Sequence, residues 1–218
     1  MSHVEKSCKR ADAVTNRARL LAAALAVFAQ SGLDLEVNDV ASQAQVGVGT
    51  LYRHFGNRED LLRALVNDTF EDALTQIRLA VQPHMDDPRA ALEALVAAGL
   101  RVQQQYRSLF AVMRDPRLKK LLDPARGEAR RTQFLDQARG VMERGIQAGI
   151  FREDIDPELA AAVIMGSFAS VFDHFGKITA LAELEQRLFQ LLWMMVAKEG
   201  GNALLVGSPL IEPGSTGG

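Results

Sequence analysis

Val46-Gly47-Val48-Gly49-Thr50-Leu51-Tyr52-Arg53-His54-Phe55 is the stretch on which the reading of this chain turns. Leu51 and Phe55 are four apart and can share the inner face of one short helix, with Val46 just before it. Val48, Thr50, Tyr52, Arg53 and His54 are left for the outer faces. A cation, an imidazole, a phenol and a hydroxyl together supply the chemistry of phosphate and base-edge contact. Upstream, Val37, Val40, Ala41 and Ala44 recur at helical spacing. Two short helices joined by a tight turn containing Gly47 predict a helix-turn-helix.

The flanks extend the pattern. Leu21, Ala24, Leu25 and Phe28 repeat at helical spacing, with Thr15 a suitable N-cap and Gly32 a stop. Asn57, followed three residues later by Asp60, predicts the cap of a fourth helix. Leu62, Val66, Thr69, Phe70, Ala73 and Ile77 carry that helix on towards Pro83. Asp87-Pro88 and Asp156-Pro157 each predict a helix start, with Asp as cap and Pro at the first helical position. Apolar stripes then follow at helical period to about Lys198, and no segment alternates as a strand would.

Leu51-Tyr52-Arg53-His54-Phe55 followed by Asn57-Arg58-Glu59-Asp60-Leu61-Leu62 resembles the DNA-binding signature of the tetracycline-repressor (TetR) family. Ala23 to Leu33 resembles that family's first helix. The resemblance covers roughly the first third of the chain. It implies an all-α protein: an N-terminal three-helix DNA-binding domain, then a C-terminal helical bundle for ligand binding and dimerisation. The expected organisation is a flexible arm over 1–14, the DNA-binding domain over 15–60, the ligand-binding and dimerisation domain over 61–199, and a disordered tail over 200–218.

Position by position, the resemblance puts Tyr52, His54 and Arg58 on phosphate, where the family normally has lysine at the last of these. Thr50 falls on phosphate or base, and Val48, Gly49 and Arg53 face bases. Of those three, only Arg53 can make a bidentate contact, with guanine as its natural target. Direct readout is therefore thin, and DNA shape carries more of it. Arg17, in the first helix, is a further phosphate candidate. Glu36 stands where the family usually has a Ser or Thr that caps the second helix and touches phosphate. Asn38 is the substitute. Gly49 sits inside a helix at a cost of about 1 kcal/mol relative to alanine, which close approach of the backbone to DNA would offset.

Charge is neutral on this question. The 218-residue chain carries 25 Lys/Arg against 27 Asp/Glu, a net of −2. Up to Val66 there are eight basic and seven acidic residues, so the head is barely positive. Only placement of the cations favours nucleic acid. The single Cys8 makes no intramolecular disulfide or cysteine metal cluster, consistent with a reducing cytoplasm. No secretory signal or membrane span is expected. The four histidines, His3, His54, His84 and His174, lack metal spacing. No phosphate-cradling glycine loop or nucleophile elbow appears, so neither enzyme nor cofactor chemistry is expected.

Two further groups are set by the C-terminal stripes. Ala162, Gly166 and Ser170 on one helix, with Leu184, Leu188, Leu191 and Met195 on the last, are the expected interface of a homodimer. Intramolecular core accounts for those stripes equally well; the resemblance favours the interface. Gln103, Tyr106, Phe110, Met113, Phe134, Met142, Phe168 and Phe172 are the expected lining of a ligand cavity, with plain core as the competing reading. The function so expected is a ligand-responsive transcriptional repressor that releases a palindromic double-stranded operator on binding a mainly apolar small molecule. The alternative is a helical interaction module, or a constitutive DNA binder without inducer.

Overall fold

The computed structural model describes residues 3–113 and 115–198, with side chains from Asn16 onward. The tail expected over 200–218 lies outside the described residues. Ten α-helices follow one another, and no strand occurs among the described residues. Helix α1 spans His3–Ser31, α2 Val37–Gln43, α3 Val48–Phe55 and α4 Arg58–Val81. Then come α5 Pro88–Gln105, α6 Arg107–Val112, α7 Pro116–Leu121, α8 Pro124–Gln147, α9 Pro157–Phe175 and α10 Leu181–Val196.

Helix boundaries follow local chemistry. Asn57 accepts a hydrogen bond from the Asp60 amide at the start of α4. Asp87, Asp115, Asp123 and Asp156 each cap a helix that begins with proline. Such caps satisfy amides that have no partner within the helix. Helix α1 corrects the expectation of an arm and of a cap at Thr15, since it already begins at His3. No glycine or proline interrupts the sequence before Gly32, and extending an existing helix costs far less than starting one.

The helix-turn-helix is the second correction in detail. The turn's left-handed residue is Gln45, at φ 57°, whereas Gly47 is extended and caps α3. The Gln45 amide donates to Ser42 O and the Val46 amide to Ala41 O, both at 3.0 Å. This is the Schellman closure, which normally places glycine where Gln45 stands. Arg19 Nη2 donates to Ala44 O at 3.2 Å and helps satisfy the end of α2.

Two cores result. The head core gathers Leu20, Leu21, Ala24, Phe28, Leu35, Val40, Leu51, Phe55, Leu61, Leu62 and Leu65 from α1–α4. Leu109 of α6 and Leu118 of α7 are fully buried in it too. The second core forms around α5, which packs against α4, α8, α9 and α10. Close packing there depends on two glycines. A Cβ at Gly99 would lie 2.4 Å from Cε2 of Phe168, and one at Gly145 would lie 1.9 Å from Cδ2 of Phe151. After α10, the chain returns to the α8–α9 loop through an isolated antiparallel bridge, Phe151 to Ala197.

Candidate nucleic-acid interface and effector cavity

Leu51 and Phe55 are buried on the inner face of α3. Val48, three before Leu51 and seven before Phe55, falls on the same side. It is half-buried and packs against the head core. The outer face is Gly49, Tyr52 and Arg53, all exposed, flanked by half-buried Thr50 and His54. Gly49 and Arg53 are four apart and adjacent on the helix surface. A Cβ at Gly49 would meet nothing within 4 Å, so internal packing does not require glycine there. Asn38 is exposed at the start of α2, where Glu36 makes no side-chain cap.

Two expected phosphate ligands are already engaged. Arg58 Nε donates to Leu35 O at 2.8 Å, and its Nη2 donates to Leu33 O. Its guanidinium therefore ties the first turn of α4 to the loop after α1, correcting its reading as a free cation for phosphate. The sequence could not distinguish the two, because the loop carbonyls that attract it belong to residues more than 20 positions away. Arg17 lies over the Phe55 ring, 5.5 Å from its centroid, and remains exposed.

Below the head lies a partly open cavity of about 600 Å³ lined by α4, α5, α6, α8 and α9. Of the expected lining, Gln103, Phe110, Met113, Phe134 and Phe172 do face it. Met142 and Phe168 do not; both are fully packed into the second core. Tyr106 is also turned away. Its hydroxyl donates to Asp72 of α4 and accepts from Gln105 Nε2 at 2.8 Å. Burial, then the hydrogen bond to Asp72, push that hydroxyl above the ordinary tyrosine range. Ala162 and Gly166, expected at an interface, are exposed and also border the cavity, as small residues that leave room.

Sequence reasoning missed two of the cations. Arg130 and Arg131 line the cavity along with Arg107 and Asp173. Arg131 is paired with Glu128 at 2.7 Å. Arg130 is different: its guanidinium donates to the Asn67 side-chain oxygen and lies over the Phe70 ring at 5.2 Å, both on α4. Burial lowers its pKa from the ordinary guanidinium value, more than nearby Glu71 and Asp123 restore it. Runs of arginine such as 126–131 read as solvated surface, so only the packing of α8 on α4 reveals this one.

The description "Bacterial regulatory proteins, tetR family" matches residues 20–65, and "Tetracyclin repressor-like, C-terminal domain" matches residues 85–177. The HTH-type transcriptional repressor KstR2 of Rhodococcus jostii is 34% identical over 148 residues, which cover 66% of this chain and 72% of that protein. The chain belongs to the TetR family. Its members are transcriptional regulators that bind DNA through the helix-turn-helix, rather than enzymes. The Bacillus subtilis fatty acid metabolism regulator protein is 27% identical over 158 residues, covering 68% of this chain and 77% of that protein. Solved structures share the fold. That of the ketosteroid transcriptional regulator KstR2 of Mycobacterium tuberculosis superposes with a TM-score of 0.61 at 23% identity, covering 84% of this chain and 95% of that one. That of FadR from Bacillus subtilis in complex with stearoyl-CoA gives 0.63 at 22%, covering 81% and 97%.

Dimerisation is typical of TetR regulators, and the last two helices of this chain divide the expected interface residues. Leu184 and Leu188 are buried in the protomer's own core, which corrects their assignment. Leu191 and Met195 are exposed at 53% and 46%, together with Met194 at 56%. On α9, Leu159, Val163 and Ser170 are exposed. By length and composition alone α9 is apolar enough to cross a membrane, and only 22% of the relevant window is buried within the protomer.

Proposed function

We propose that this TetR-family regulator is a homodimeric repressor whose hold on a palindromic operator is released by a mainly apolar small molecule. The observation that carries the reading is the position of the cavity. Its walls include Phe70 and Ile77 of α4, and the first turn of the same helix is tied to the head by Arg58. A ligand that favours one tilt of α4 would move the head with it; a ligand indifferent to the tilt would shift nothing. Two heads must meet half-sites about 34–36 Å apart, so a small tilt spoils simultaneous docking.

The exposed apolar faces of α9 and α10 are the proposed seam of the dimer, around a two-fold axis. The base-reading residues are Arg53 and the backbone at Gly49, with Tyr52, Thr50, His54, Asn38 and Arg17 on phosphate. The regulator acts in the cytoplasm, where its DNA lies. The relative solved with stearoyl-CoA supports a long acyl chain as the apolar body of the effector.

The test is fluorescence anisotropy of a labelled fragment from upstream of the protein's own gene, with and without palmitoyl-CoA. Release of the fragment is expected, and operator must weaken palmitoyl-CoA binding by the same factor. Unchanged DNA affinity at saturating palmitoyl-CoA would make the protein a constitutive DNA binder.

A further inference from the structure

A second, smaller cavity of about 240 Å³ adjoins the first. Arg63, Asn67, Leu122, Asp123, Arg126 and Arg130 line it, and Leu122 and Arg130 line the larger cavity as well. We propose that this smaller cavity is an anion subsite, which takes the phosphate-bearing head of an effector whose acyl body fills the larger one. The proposal rests on the effector reading above and adds the chemistry and place of the ligand's polar end.

Four observations carry it. Three guanidiniums converge on a recess too small for the apolar body. Arg126 lies in the first turn of α8, where the helix dipole is positive and disfavours a cation. Arg130 is partly desolvated and is repelled by Arg126, with Glu71 and Asp123 offsetting part of this from a distance. The contacts of Arg130 are an amide oxygen and a ring face, both neutral. An anion placed there would relieve this repulsion and form charge-assisted hydrogen bonds, which a neutral head could not. Asp123 opposes it, although its Oδ1 already accepts from the Ala125 amide at the helix cap. Arg63 is shared with Asp60 and Glu59, so Arg126 and Arg130 are the principal ligands.

The position also explains how such a head would be sensed. Arg63 and Asn67 belong to α4, and Arg130 reaches α4 from α8 through Asn67 and Phe70. An anion that draws Arg130 and Arg126 to itself competes directly with this clasp on α4. The apolar body supplies affinity; the head supplies the difference between the two tilts.

Calorimetric titration with two probes tests it. Palmitoyl-CoA carries the chain and phosphates; palmitoyl N-acetylcysteamine thioester carries the same chain and thioester without them. The native protein should bind palmitoyl-CoA at least roughly tenfold more tightly, as expected for a charged hydrogen-bond pair. Arg126→Gln, at an exposed position, should remove most of that advantage and leave the uncharged probe unaffected. Arg130→Gln should also reduce that advantage and weaken palmitoyl-CoA-driven release of DNA. Equal binding of both probes, or an Arg126→Gln variant as selective as the native protein, overturns the subsite while leaving the effector cavity standing. Binding of neither probe overturns the subsite and the acyl effector together.

Discussion

Replacing Gln45 with glycine should stabilise the head. Gln45 holds φ 57° at the end of α2, a conformation that costs an ordinary L-residue about 1–2 kcal/mol. Glycine adopts it freely but loses about 0.5–1 kcal/mol more conformational entropy on folding. The difference leaves a net gain of about 0.5–1 kcal/mol for Gln45→Gly. In a chain of this size that raises Tm by about 1–4 °C. Gln45 is exposed, so lost side-chain packing subtracts little. Gln45→Ala is the control, because alanine bears the same left-handed penalty and should leave stability near that of the native protein. The assay is urea unfolding followed by circular dichroism at one fixed protein concentration, since association contributes to apparent stability. The midpoint should rise for glycine alone, with unchanged denaturant dependence. A glycine variant no more stable than the alanine variant would refute the argument that backbone conformation sets the energy of this turn.

Gly49→Ala should stabilise α3 by up to about 1 kcal/mol, since a Cβ there meets nothing; weaker operator binding by the more stable variant would report close backbone approach to DNA, and unchanged binding would remove that role. Arg58→Ala frees the carbonyls of Leu33 and Leu35 and should cost about 1–3 kcal/mol of stability, read as a lower urea midpoint, whereas a pure phosphate ligand would alter only DNA affinity and its salt dependence. Leu188→Arg should unfold the protomer, because Leu188 is buried, whereas Leu191→Arg should leave a folded monomer in light scattering; a dimeric Leu191→Arg variant would place the seam elsewhere.

Much of the fold was legible because helices declare themselves locally. Caps such as Asn57 and Asp156 and the apolar spacing of α2 and α3 need no knowledge of distant residues. What escaped depends on partners far along the chain. Leu188 and Leu191 belong to one stripe at helical spacing, and only the packing of α10 on α5 decides which turns inward. Phe168 looks like a cavity residue until Gly99 provides the slot that its ring fills. Tyr106 is removed from the cavity by Asp72, and Arg58 from the outer surface by two loop carbonyls. For Gln45, side-chain preference pointed to the wrong residue of the turn, because glycine stood two places later.

The burial of Leu109 and Leu118 among the side chains of α1–α4 bears on how such a regulator can be re-engineered. A graft that transfers only residues 20–65 onto another ligand-binding scaffold would leave behind two leucines that complete the packing of the head. The host would have to offer apolar side chains of similar volume at both places, or the graft would carry cavities, each Leu-sized void costing about 2–5 kcal/mol. The unit that can be transplanted intact is therefore discontinuous: the first four helices together with α6 and α7. In this chain α6 also presents Phe110 to the effector cavity, so a graft that preserves the head's packing brings part of the sensor with it. Specificity for DNA and for effector are thus not independently exchangeable parts.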